Sequence, residues 1–308
     1  MPLGDRLADA VRGRRSQLVL GIDPDPGRLW PRALELAGQD RSAHDDDPST
    51  RTGRAVAAHC RLLLDAAGDQ CVAIKPQVAC FERLGAPGWA ALRELVADAH
   101  ERGLLVVADA KRGDIDISAT AYGHAFFTGV STPYGHVPGL GADLLTASPL
   151  LGRDSIAALL GQARTVGGGL LLLTRTSNPG AADLQGLMLR DGGTVSEAIA
   201  ALVDAQGRDN IGRSGLSDVG AVTGATAPEH LERLRELMPA AVMLLPGLGA
   251  QGGDDRGLRA AFAPGPAGGL VPVSRGIAYA FEGAGRDPAD AAANEARRLR
   301  ELLWDLYA

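Results

Sequence analysis

The sequence predicts a single (β/α)8 barrel, one domain over residues 1–308. Eight short apolar runs recur along the chain, at residues 18–22, 71–74, 104–108, 142–145, 169–173, 219–223, 242–245 and 270–274. Their apolar residues are consecutive rather than alternate, as parallel strands covered on both faces require. Stretches with helical spacing lie between them, among them 89–102, 196–207, 228–238 and 289–303. The first of these repeats Leu92, Leu95, Val96 and Ala99 along one face. Strand–helix alternation sustained over this length builds a barrel with its helices outside. A doubly wound open sheet is the structural alternative. No GxGxxG follows the first run, which weakens its dinucleotide-binding form.

Taken in order, the strand ends carry the chemistry, because in a barrel they converge on one mouth. The first run leads into Asp23-Pro24. Residues 38–54 (GQDRSAHDDDPSTRTGR) interrupt the repeat; they are polar and acidic at 45–47, as expected of a solvated loop insertion. The second run ends in Lys75-Pro76-Gln77, and the third in Asp109-Ala110-Lys111-Arg112-Gly113-Asp114. The fifth opens into TRTSNPG, the sixth into Gly224-Ala225-Thr226, and the seventh into PGLGAQGG, from Pro246 to Gly253. Residues 262–269 (FAPGPAGG) are expected to loop before the last strand, which ends in Ser274-Arg275-Gly276.

Composition narrows the function classes. The chain is 45% apolar and 22% charged, as an ordinary enzyme is. A net charge of −6 with 4% aromatics argues against nucleic-acid partners, which call for basic stripes and stacking rings. Cys60, Cys71 and Cys80 form no CxxC, and the histidines form no HxH or HExxH, so neither a disulfide framework nor a metal site is expected. GxSxG is absent, which disfavours a nucleophile-elbow hydrolase. The opening residues hold no apolar core of signal-peptide length, and no apolar run is long enough to cross a bilayer. The expectation is a cytoplasmic protein without membrane partners.

Strand period two places Asp109 and Lys111 on one face, with Lys75 one strand earlier. Ionised groups at the ends of apolar runs are costly to desolvate unless paired. Carboxylates on either side favour the ammonium form of a lysine. Such a lysine suits a general acid or the stabilisation of a carbanion. A Schiff-base nucleophile needs the opposite tuning. At the other side of the mouth, glycines after the seventh run and Arg275 after the eighth suit an anion, phosphate above all.

The blocks VLGIDPDP, AIKPQVACFERLG, VVADAKRGDIDISATA, TRTSNPGA, GAVTGAT, LLPGLGAQGG and VSRGIAYA, in that order, resemble the orotidine 5′-phosphate decarboxylase family, in its branch of longer chains. The resemblance implies a barrel homodimer that converts orotidine 5′-monophosphate to uridine 5′-monophosphate with no metal or organic cofactor. It implies an alternating array of Lys75, Asp109, Lys111 and Asp114, with Lys111 protonating pyrimidine C6 and Asp114 contributed across the subunit interface. Asp23 and Lys75 would meet ribose hydroxyls, and Ser177 the pyrimidine. Pro246, Gln251, Arg275 and Gly276 would surround the phosphate. The family commonly has a threonine where this chain has Ser118, so the ribose hydroxyl contact falls to Ser118 or nearby Thr120. Asp116 receives no role. A sister lyase acting on hexulose or gulonate phosphate is the alternative. It would need an acidic metal ligand near the end of the second strand, where this chain has Lys75. A Schiff-base aldolase using Lys75 or Lys111, and an inactive phosphate-binding relative, are the remaining readings.

Overall fold

The computed structural model describes residues 1–39, 47–225, 228–247, 255–283 and 285–307. Its strands are β1 (Leu18–Ile22), β2 (Ala73–Pro76), β3 (Leu105–Arg112), β4 (Val130–Thr132), β5 (Gly135–Val137), β6 (Leu144–Ala147), β7 (Gly169–Arg175), β8 (Val219–Thr223), β9 (Met243–Leu244) and β10 (Gly269–Val273). Eight of them close into a parallel barrel in the order β1-β10-β9-β8-β7-β6-β3-β2. The fold class read from the apolar runs is therefore the one observed. β4 and β5 form a separate antiparallel hairpin that the sequence reading missed, between the third and fourth barrel strands.

Alternation along each strand sorts the core into two layers. Leu18, Leu20, Ile22, Ile74, Val106, Ala108, Leu170 and Leu172 pack outward against the helices. Val19, Ala73, Leu105, Val107, Leu144, Leu171 and Leu270 pack with Leu3, Leu7, Ala8 and Val11 of the helix Leu3–Arg14. That helix closes one end of the barrel, the end where the strands begin. Its buried residues recur at helical spacing, so its amphipathic face is spent on the barrel floor. The same parity carries Lys75, Gln77, Asp109 and Thr146 inward at the opposite end, which is left as the mouth.

The acidic segment departs from the expected loop. A helix runs Pro48–Ala67, so residues 48–54 are helical, and residues 40–46 lie outside the described residues. Asp47 caps this helix, accepting from Ser49 N at 2.8 Å and Thr50 N at 3.3 Å, with Pro48 at the first helical position. Asp followed by Pro is a start signal that outweighs the polar composition. Asp47 is accordingly held below the usual carboxylate range, first by the Thr50 hydroxyl and then by the backbone amides. The other helices match closely: Ala86–Glu101, Val195–Gly207, Pro228–Leu237 and Pro288–Tyr307.

One buried cation organises the side of the barrel around β9 and the start of β10. Arg235 is 7% exposed and donates to carbonyls rather than to a carboxylate. Nη1 reaches Met238 O, Pro239 O and Ala241 O at 3.2, 3.2 and 2.6 Å. Nη2 reaches Ala261 O and Gly268 O at 2.6 and 3.1 Å, and Nε reaches Ala260 O at 3.3 Å. Burial pulls its pKa down to about 10. It joins the end of one helix, the end of the next, and the start of β10. Arg235→Met keeps the stem and strands those carbonyls, so stability should fall by about 3 kcal/mol or more. The urea midpoint of unfolding measures this; an unchanged midpoint would show that the carbonyls find other partners.

Candidate active site

The mouth is built around a single carboxylate. Asp109, 7% exposed, lies in β3 and accepts from four groups. Oδ2 takes Lys75 Nζ at 2.9 Å and Gln77 Nε2 at 3.1 Å. Oδ1 takes Lys111 Nζ at 2.6 Å and Thr146 Oγ1 at 2.9 Å. Burial alone would raise the Asp109 pKa; the charges of Lys75 and Lys111 and their hydrogen bonds outweigh it and hold the value at about 2. Two cations on one anion leave the floor of the mouth net positive. Lys75 is as buried as its partner, whereas the Lys111 side chain is 46% exposed and open to an incoming molecule.

Lys111 does not reach this position by regular strand geometry. The pairing of β3 with β6 shifts between Ala108 and Arg112. Within that irregularity Lys111 adopts φ +49°, the left-handed region, where a residue with a Cβ is strained. The neighbours hold it there. Lys111 N donates to Thr146 Oγ1 at 2.9 Å, and Ser148 N donates to Arg112 O at 2.8 Å. Arg112 pairs with Glu82 and lies over the rings of Tyr122 and Phe126 at 5.4 and 5.5 Å. The expectation that Asp109 and Lys111 meet is met, but through a bulge and a strained residue rather than through strict alternation.

Gln77 and Thr146 were missed at the sequence level. Both had a signal: Gln77 lies two positions beyond Lys75, and Thr146 is a hydroxyl inside an otherwise apolar strand, buried to 1% exposure. The remaining candidates sit around the rim. Asp23 follows β1 and is exposed; Ser177 follows β7 and is exposed; Pro246 follows β9. Gly224 lies against Ser177 so closely that a Cβ there would stand 2.8 Å from the Ser177 Cα. Arg275 and Gly276 open a short helix, Arg275–Ala278, after β10, and both are exposed. Gln251 lies outside the described residues.

Asp114 does not join the lysines within its own chain. Its Oδ1 accepts from Ile115 N at 2.8 Å, and its carbonyl accepts from Ser155 Oγ at 2.6 Å. Ser118 is exposed on the helix Asp116–Gly123, and Thr120 Oγ1 is taken up by Asp116 O at 3.1 Å. Among the described residues no cluster of three or more His, Cys, Asp or Glu side chains could hold a metal, and no helix is long and apolar enough to cross a membrane.

A parallel barrel whose mouth presents a lysine–aspartate–lysine bridge, with an arginine on the rim after β10, defines a class of enzymes acting on small anionic substrates. Residues 18–292 match the model of the orotidine 5′-phosphate decarboxylase / HUMPS family, and the chain belongs to that family. It is 35% identical to orotidine 5′-phosphate decarboxylase of Rhodopirellula baltica over 285 residues, covering 92% of this chain and 90% of that one. It is 40% identical to the protein of the same name from Deinococcus radiodurans over 274 residues, covering 89% and 88%. The solved structure of Leishmania donovani OMP decarboxylase superposes with a TM-score of 0.70 at 30% identity, covering 99% of both chains.

The bridge has a pH signature. A carboxylate with a depressed folded pKa contributes stability that is fully present above its unfolded value near 4 and is lost as pH falls through its folded value. The stability gap between wild type and Asp109→Asn should therefore contain a component of about 2 kcal/mol at neutral pH that vanishes between about pH 4 and pH 2. Urea unfolding of both proteins across that interval measures it. A gap independent of pH would show that the two lysines do not hold the Asp109 proton off.

Proposed function

We propose that this chain decarboxylates orotidine 5′-monophosphate to uridine 5′-monophosphate. The observation that carries the reading is the Lys75–Asp109–Lys111 bridge at the mouth of a barrel of this family. Loss of carbon dioxide breaks the bond between C6 and the carboxylate and leaves the electron pair on C6. The half-exposed ammonium of Lys111, fixed by Asp109, stabilises that pair and then transfers a proton to it. Solvent restores the proton to Lys111. The scheme requires no metal and no organic cofactor.

In this reading Asp23 and Lys75 meet ribose hydroxyls, together with Ser118 or Thr120. Ser177 meets the pyrimidine. Pro246, Gln251, Arg275 and Gly276 enclose the phosphate, whose binding helps assemble the reactive mouth. Asp114 serves the neighbouring subunit of a homodimer. Two features support that placement: Asp114 is engaged with its own backbone rather than with Lys111, and apolar side chains are exposed on its own segment and on the loop that packs beside it. Ile115 is 49%, Ile117 86%, Leu150 71% and Leu151 49% exposed, a patch suited to a second copy.

The test is the ultraviolet absorbance of orotidine 5′-monophosphate mixed with purified protein, with and without EDTA. Wild type should consume the orotate chromophore in both conditions. Lys111→Ala should lose roughly a thousandfold or more in kcat, since stabilisation and protonation go together. Arg275→Ala should raise KM far more than it lowers kcat. No loss of chromophore with folded wild type, or undiminished turnover in Lys111→Ala, would overturn the reading.

A further inference from the structure

The loop after β1 and the short helix after β10 are fastened to each other more firmly than adjacent loops need to be. Trp30, 2% exposed, donates from Nε1 to Ala278 O at 2.9 Å, and Ala278 ends the helix that Arg275 begins. Its backbone N–H donates to His59 Nδ1 at 3.2 Å, and the two rings meet edge to face with centroids 5.4 Å apart. Burial pulls the His59 pKa down to about 4, so the ring is neutral at neutral pH and Nδ1 is an acceptor. At the surface, Arg28 lies over the Tyr279 ring at 4.0 Å and pairs with Glu282 at 2.5 Å. A turn places Arg28, with Arg28 N on Asp25 O at 2.8 Å and Gly27 N on Asp25 Oδ1 at 3.0 Å. Asp23 and Arg275 stand at the two attached ends, and with His59, Ser274 and Tyr279 they line one small cavity. Among the described residues no carboxylate pairs with Arg275.

We infer that Trp30 and Arg28 are positioning residues: they clasp the two loops and so set the spacing between Asp23 and Arg275 that a sugar phosphate must span. The inference rests on the assignment of those two residues to ribose and phosphate. Neither Trp30 nor Arg28 belongs to the lysine–aspartate bridge, so the clasp acts chiefly on capture of the substrate and touches bond breaking only through the phosphate grip. A spacing error of under an ångström at two anchoring groups is enough to weaken a two-point grip.

The experiment compares Arg28→Ala, Glu282→Gln and Trp30→Phe with wild type in the orotidine 5′-monophosphate assay, each alone and combined with Arg275→Ala. Trp30→Phe keeps the buried ring and removes its N–H. The expected result is a KM roughly tenfold higher with kcat within about twofold. That rise should disappear in the Arg275→Ala background, because the clasp works through Arg275. Unchanged KM in Arg28→Ala and Glu282→Gln, or a rise that persists in full beside Arg275→Ala, would overturn the clasp. If Trp30→Phe does not fold, the two surface variants decide. Absence of turnover in wild type would instead overturn the assignment of function.

Discussion

The mouth of this barrel depends on the desolvation of one carboxylate. Asp109 sits where burial opposes its charge, and only the adjacent Lys75 and Lys111 make that charge the favoured state. The carboxylate in turn fixes where both ammonium groups sit. Gln77 and Thr146 use up the remaining acceptor positions. A carboxylate with four donors has little freedom to rotate, so the ammonium of Lys111 is held to a narrow region while the rest of its side chain meets solvent.

The scaffold explains why one end of the molecule is available for this. The helix Leu3–Arg14 fills the floor, so inward-facing positions near that end are apolar. The same strands, followed two residues further, turn their inward positions over to charge and hydroxyl. A side chain's distance from the floor thus decides whether it is core or site. Neighbouring rim segments are joined by side chains of their own, as Trp30 joins the β1 loop to the helix after β10.

Most of the barrel was legible because doubly covered parallel strands write themselves as unbroken apolar runs: five of the eight expected runs share four or more residues with their strands, and those at β2, β6 and β9 share two. The lysines and aspartates were legible because charge at the end of such a run demands an explanation. Residues 48–54 were not, since a polar helix face and a loop share a composition, and only Asp47 before Pro48 separates them. Gln77 and Thr146 were passed over because neutral polar groups carry no charge signal, although their parity matched the lysines. The left-handed Lys111 could not be read at all: nothing in the residue type announces a positive φ, and the register shift that imposes it is a property of two strands together.

That backbone conformation puts folding and function at odds. At φ +49° a glycine would be relaxed where a lysine is not, by roughly 1 kcal/mol. Selection for robustness alone would drift this position toward glycine, and selection for a cation at the mouth must hold it against that drift. The buttresses around it, Thr146 on its amide and Arg112 locked between Glu82 and two rings, are then less a source of stability than the means by which an uncomfortable residue is kept. Stabilising this protein by relaxing strained backbone positions has its natural limit at this turn of the third strand.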